Sequence, residues 1–497
     1  MTEPAKTAAT LDSPPPDAAE HTSARARRVI WLLLAAAFVL ILNETIMAVA
    51  LSKLMHSLRI DASTAQWLST AFMLTMAVVI PVTGFLLQRL NTRPIFIGAM
   101  AFFSLGTLTA ASAPGFEVLL VGRVLQACGT AVIIPLLMNT IMTMVPPAER
   151  GKMMGNISIV ISVAPAIGPT ISGVVLSFLS WRWMFWLVLP IALVVGFIGY
   201  RQIENVGEPK KVPIDVFSVV LSALGFGGLI YGLSRIGEGG RTGGGSHSSP
   251  VAMWIALSVG VVGLVVFVWR QLMLQRDDRA LLDLRTFKAG NFTITVVILL
   301  ICMATLFGTV ILLPIYTQQV LHLSPLSTGL LLLPGGLVMG VMGPVVGRIF
   351  DRFGPRILVV PGAVVITVIM FLLTLVDEHT SPYSLLAGHI LLSAGLAALM
   401  TPLFTAGLGS VKPELTPHGS AIVATCQQVA GAAGTALFVT VMAIQVAASK
   451  AAGAGQAASL TDGVRAAFTV GLVISLLAVV GAFFVRKPPE AAESTAH

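Results

Sequence analysis

Charge is what this chain has least of. Only 10% of its 497 residues are Asp, Glu, Lys or Arg, against about 25% in a soluble domain. Hydrophobic residues make up 56% and the mean hydropathy is +0.91. Such a chain cannot clothe a water-facing core in polar surface, so an ordinary globular enzyme is excluded. Cysteine is scarce too. Cys128, Cys302 and Cys426 lie far apart in apolar runs, with neither a CxxC nor a Cys/His ligand spacing, so they read as small buried hydrophobes and no metal site is expected. No G-x-x-x-x-G-K-[ST] loop is present, which removes ATP as a direct driver. Clustered acids or histidines at one interface would suit an intramembrane enzyme, and a filter repeat would suit a channel; both are missing. No cofactor is expected.

Long apolar runs are what the chain has most of. Read as runs of about 20 residues, they give fourteen spans near 29–52, 65–88, 94–112, 116–143, 153–177, 184–203, 215–236, 251–273, 290–316, 326–349, 356–376, 383–409, 419–446 and 463–485. Residues 1–28 hold no apolar h-region and read as a disordered tail, as do residues 486–497. With the N-terminus inside, 22 of the 30 Lys and Arg fall on cytoplasmic segments. That bias predicts a multi-pass protein of the cytoplasmic membrane with both termini in the cytoplasm. It also assigns the net charge of +8 to topology, so no nucleic-acid partner is expected.

Two loops repeat one another. "GFLLQRLNTR" (84–93) and "GRIFDRFGPR" (347–356) both fit G-x-x-x-(D/Q)-R-x-(G/N)-x-R, 263 residues apart from Gly84 to Gly347. Six spans with loops take about 190–200 residues at about 20 per span, and the surplus matches one extra pair. The expected layout is an all-α polytopic fold: a six-helix bundle over 29–203, a two-helix insert with cytoplasmic connectors over 204–289, and a second six-helix bundle over 290–485. Two such halves suit alternating access, with the substrate path between them near the bilayer midplane.

Within "LILNETIMAVAL" (40–51), Glu44 is the one acid of twenty-two lying well inside a span, and Arg123 is the one basic residue there. Glu44 is about eight residues from the outer end of its span and Arg123 about seven, so both lie about 10–12 Å deep. Intramembrane charges are costly and mark function by default. Glu44 is therefore the expected proton carrier and Arg123 its modulator; the alternative is a static ion pair between spans one and four. Whether Glu44 faces the cavity or Arg123 is left open by the sequence. Further polar residues in spans, Asn43, Gln126, Asn139, Gln318, Gln427 and Gln428, are candidates to line a substrate cavity. His389 reads as a neutral packed residue rather than a relay.

Span five reads "SVAPAIGPTISG" (162–173). Its small residues and prolines, Pro165, Gly168, Pro169 and Gly173 among them, permit a tight helix seam with a bend.

These features together resemble the major facilitator superfamily, and more narrowly its fourteen-span drug:proton antiporter family, from about Arg28 to Arg486. The loop repeat is similar to the superfamily motif G-x-L-a-D-R-x-G-R-R/K. The second copy keeps Gly347, Asp351, Arg352, Gly354 and Arg356. The first keeps Gly84, Arg89 and Arg93 but has Gln88 for the acid and Asn91 for the glycine. The resemblance implies a gate in which an acid–Arg cluster latches the halves in one state. "RVLQACG" resembles R-x-x-Q-G-x-G, with Ala127 for a glycine. Span five resembles G-x-x-x-G-P-x-x-G-G, which implies export rather than import. In span one the family acid's place is taken by Asn43, and Glu44 follows one residue later, about 100° around the helix. The implied function is proton-coupled efflux of drugs or other small amphipathic or cationic compounds. The alternatives are a dedicated exporter of one metabolite or a proton symporter. A monomer in the lipid bilayer is expected.

Overall fold

The structure, a computed structural model, describes residues 16–60, 62–203, 205, 215–241 and 250–487. Among these there are fourteen α-helices and no strand: α1 (Pro16–Leu58), α2 (Ala62–Arg89), α3 (Thr92–Ala111), α4 (Phe116–Met144), α5 (Arg150–Phe178), α6 (Arg182–Gln202), α7 (Val216–Arg241), α8 (Pro250–Leu274), α9 (Gly290–Gln319), α10 (Pro325–Phe353), α11 (Arg356–Leu373), α12 (Pro382–Gly409), α13 (Thr416–Ala451) and α14 (Gln456–Ala482). Thirteen contain a stretch long and apolar enough to cross a membrane; the other, α5, has 29 residues and packs between α1 and α10.

Local signals set the helix ends. Ser324 caps α10 by accepting from the Ser327 N–H, with Pro325 at the first helical position, and Gly354 stops the helix at φ +80°. Ser381 and Pro382 start α12 in the same way. One end departs from expectation. The segment 16–28 is the first part of α1 rather than a disordered tail, because its Ala-rich sequence continues the helix of the span behind it. Residues 1–15 and 488–497 of the two expected tails lie outside the described residues.

Helix for helix, α9–α14 repeat the packing of α1–α6. The contacts α1 with α5, α2 with α4, α3 with α4, α3 with α6 and α1 with α6 recur as α9 with α13, α10 with α12, α11 with α12, α11 with α14 and α9 with α14. The fold is thus two six-helix bundles plus two helices. Arginine side chains tie helices within each half in matching ways. Arg93 donates to the Tyr200 carbonyl at the end of α6 (2.9 Å), and Arg356, 263 residues on, donates to the Phe483 carbonyl at the end of α14 (2.6 Å). At the other end Arg182 donates to the Ala113 carbonyl (2.8 Å) and Arg465 to that of Val376 (2.5 Å). Cations on helix-end carbonyls satisfy both the hydrogen bond and the dipole.

These ties define two faces. The ends of α2, α6, α10 and α14 gather with the starts of α3, α5, α9, α11 and α13, on what is the termini face. The two halves meet closely there, through α5 against α10 and α2 against α13. Gly151 lies against Gly347, Gly155 against Gly343, and Gly84 against His418 and Ala421.

The additional helices form a hairpin. α7 lies against both α2 and α13, and Trp67 of α2 stacks on Tyr231 of α7 at 5.9 Å. At its base Arg270 bonds Asp215 through two hydrogen bonds (2.7 and 2.9 Å), and Gln271 links Ser218 to the Leu281 N–H. The outer surface of α8 is apolar and exposed, from Val251 and Trp254 to Val265 and Trp269, as a lipid-facing helix must be.

Candidate functional site

On α1 the residues Leu33, Leu34, Ala36, Ala37, Val39, Leu40, Leu42, Asn43, Ile46 and Met47 are buried. Phe38, Ile41, Glu44 and Thr45 are only half-buried, a stripe at helical spacing. Glu44 therefore lies on the half-buried stripe of α1, about 100° from Asn43. Asn43 is 2% exposed and accepts a long hydrogen bond from Gln126 (3.5 Å). Thr45 lies against Gly168 of α5 so closely that a Cβ there would overlap its hydroxyl. The α1–α5 seam runs beside Glu44.

Arg123 is 1% exposed. Its guanidinium is held by the Leu68 carbonyl (3.3 Å), by Gln126 Oε1 (3.0 Å) and by the Phe72 ring, 4.1 Å from its centroid. Gln126 in turn donates to Thr107 (2.9 Å). No ion pair within 4.0 Å joins Arg123 to Glu44 among the described residues. The matched depth thus places them as neighbours rather than as a bonded pair. Arg123 is satisfied by α2 and α4, leaving the Glu44 carboxylate without a hydrogen bond or ion pair among the described residues.

The other expected residues divide. Asn43 and Gln126 are packed inside the first bundle in this conformation. Gln126 bonds Arg123, Thr107 and Asn43, while Asn43 Nδ2 has no hydrogen-bond partner among the described residues. Gln318 is exposed in the last turn of α9, at a helix end, because the span runs on to Gln319. Asn139, Gln427 and Gln428 are half-buried, and the Gln428 amide lies 3.7 Å from Met76 Sδ on α2, across the two halves. Pro165 is half-buried on α5 and Gly168 is buried. Pro169 and Gly173 have side-chain surroundings outside the described residues.

At the termini face the acid of the second repeated loop bonds main-chain groups of the other half. Asp351 accepts from the Gly151 N–H (2.8 Å) and the Lys152 N–H (2.9 Å) at the start of α5. Arg89 lies over Phe85 (5.9 Å) and Arg352 over Phe353 (5.2 Å), while Arg93 and Arg356 cap carbonyls within their own halves. The acid prefers free N–H groups at a helix N-terminus, which carry the positive end of the dipole. In the first copy Gln88 donates to the Glu414 carbonyl (3.0 Å). Sequence reading missed Gly151, Lys152, Glu414 and Phe72. The loop offset carries a trace of the first three, since Gly151 and Glu414 are also 263 apart. Among the described residues no group of His, Cys, Asp and Glu fits a metal.

The sequence profile of the Major Facilitator Superfamily matches residues 33–435. A lincomycin resistance protein, LmrB, of Bacillus subtilis is 41% identical over 461 residues, covering 92% of this chain and 95% of that one. The LmrB of Listeria monocytogenes is 41% identical over 464 residues, covering 92% and 96%. A multidrug resistance protein B homolog of Mycobacterium tuberculosis is 28% identical over 413 residues, covering 81% and 74%. Among solved structures, the human organic anion transporter MFSD10 (TETRAN) shares the fold at a TM-score of 0.67 and 16% identity, over 95% of this chain and all of that one. The proton:xylose symporter XylE does so at 0.64 and 13%, over 94% and 98%. This chain is a multi-pass membrane protein belonging to the Major Facilitator Superfamily.

Proposed function

We propose that this protein exports drugs or other small amphipathic or cationic compounds across the cytoplasmic membrane in exchange for protons. The relatives named for lincomycin resistance, matched over 92% of the chain, and for multidrug resistance, matched over 81%, support the substrate class. The termini face lies in the cytoplasm, and the protein works as a monomer with the proton gradient as its energy source. Glu44 carries the proton. The observation that carries this reading is the Glu44 carboxylate itself: half-buried on α1, without a hydrogen bond or ion pair among the described residues, at the depth of a cation that α2 and α4 hold in place. A carboxylate so placed can exchange its proton for a cationic substrate when access alternates. The halves are sealed at the termini face in this conformation, so the opposite, outer face is the one from which protons enter. Gly168 closes α1 on α5 beside the carrier and blocks a leak.

Proteoliposomes with an imposed pH gradient test the reading, with lincomycin and ethidium as probes. Addition of either to the side bearing the termini should release protons on that side and drive accumulation on the other. Movement that ignores the gradient, or that carries proton and probe in the same direction, would refute antiport.

A further inference from the structure

The repeat extends into the membrane, with an offset of 266 rather than 263 residues between α4 and α12. "GRVLQACGTA" (122–131) in α4 is answered by "GHILLSAGLA" (388–397) in α12. Arg123 and His389 are each the eighth residue of their helix. The three-dimensional surroundings correspond as well. Arg123 lies over Phe72 of α2 and meets the Leu68 carbonyl. His389 lies against Gly335 of α10, the residue 263 beyond Phe72, and its ring meets the main chain of Leu332. The position that holds a permanent cation in the first half holds an imidazole in the second.

The pocket is shaped for that ring. A Cβ at residue 335 would overlap the imidazole, with its Nε2 at 2.6 Å, and would meet Ser393 Oγ at 2.7 Å. His389 is 7% exposed, and its Nδ1 has no hydrogen-bond partner among the described residues. Gly335 follows Pro334 inside α10 and precedes Gly336. Proline removes the main-chain bond to the residue four back, so α10 can bend there. No acid faces the ring. The residue 263 beyond Glu44 is Phe307, which is 40% exposed. Among the described residues of α5, α9, α10, α11 and α13, no titratable or charged side chain acts on His389; only the Leu332 main chain does.

We propose that His389 is a second proton-binding site, seated against the Pro334–Gly335–Gly336 segment of α10. A proton from the bulk adds to Nδ1, and the new N–H needs an acceptor that the closed pocket lacks, so uptake requires α10 to bend. The same helix ends in Asp351, which seals the termini face, and proton binding at His389 is thereby linked to the seal. The inference rests on the proton-coupled reading above.

Imidazole resonances of histidine-labelled protein in lipid nanodiscs test it, with the His389 signal assigned by its loss in His389→Gln and its shift in Gly335→Ala. The expected result is a His389 titration between pH 5 and 8 that moves when Asp351→Asn weakens the seal. A ring that keeps one protonation state across that range in both proteins overturns the proposal. Lincomycin transport then separates the two readings. In His389→Gln the pH profile of the rate should lose one inflection. An unchanged profile counts against His389 alone, whereas gradient-driven transport by Glu44→Gln counts against the carrier assignment. Should His389→Gln fail to fold, Gly335→Ala carries the assignment and the resonance titration decides.

Discussion

Asp351 of one half accepts a 2.8 Å hydrogen bond from the main-chain N–H of Gly151 in the other. Its counterpart, 263 residues earlier, is Gln88, which donates to the Glu414 carbonyl at 3.0 Å. Gly151 and Glu414 are themselves 263 apart. The two seals occupy equivalent places with opposite hydrogen-bond polarity, and only one uses a charge. A charged acceptor is worth about 1.5–3 kcal/mol and a neutral bond about 0.5–1.5. Asp351→Asn should therefore speed amide exchange in the first turns of α5 by about five- to thirty-fold, as a 1–2 kcal/mol loss implies. Gln88→Leu should change exchange near Glu414 much less. Hydrogen exchange with mass-spectrometric readout compares the two directly.

Arg123 should matter for stability as well as coupling. Arg123→Leu leaves Gln126 Oε1 without its cation, takes the second hydrogen bond from the Leu68 carbonyl and removes the charge over Phe72. The expected loss is about 2–4 kcal/mol. Arg123→Lys keeps the charge but not the planar fork, so its melting temperature in detergent should fall between wild type and Arg123→Leu.

Much of this was legible in the sequence, and the reasons are physical. Membrane spans must satisfy their main chain internally, so long apolar runs report helices directly. The loop repeat reported the two halves because identical structural tasks recur at a fixed offset. What sequence could not give was azimuth. Glu44 and Asn43 are adjacent in the chain, yet one is half-buried and unbonded while the other is packed against Gln126. Nor could it show that Asp351 would choose N–H groups of α5 over the arginines beside it, since main-chain donors carry no residue signature.

The α7–α8 hairpin should hold across the physiological pH range. Hydrogen bonds from Arg270 hold the Asp215 carboxyl down at about 2. A lowered pKa gives stabilisation that is fully present above the ordinary value near 4. It is lost as pH falls through about 2. Limited proteolysis should find the hairpin equally protected at pH 8 and pH 5, with Asp215→Asn more readily cut at both.

Gly168 should tolerate no larger side chain. Gly168→Val drives a methyl-bearing carbon into Thr45 and forces α1 from α5 beside Glu44. A stability loss of about 1–3 kcal/mol is expected for such overpacking. A proton leak should accompany it, read with a pH-sensitive dye in sealed vesicles. Thr45→Ala in the same chain should recover part of the loss, since it removes the overlapping hydroxyl.

Glu44→Gln in proteoliposomes tests the central claim most directly. With equal pH on both sides, the variant should still exchange labelled for unlabelled lincomycin, because the pathway and its seals are intact. With a pH gradient imposed it should accumulate none and release no protons on substrate addition. Gradient-driven accumulation at the wild-type rate would contradict Glu44 as the proton carrier.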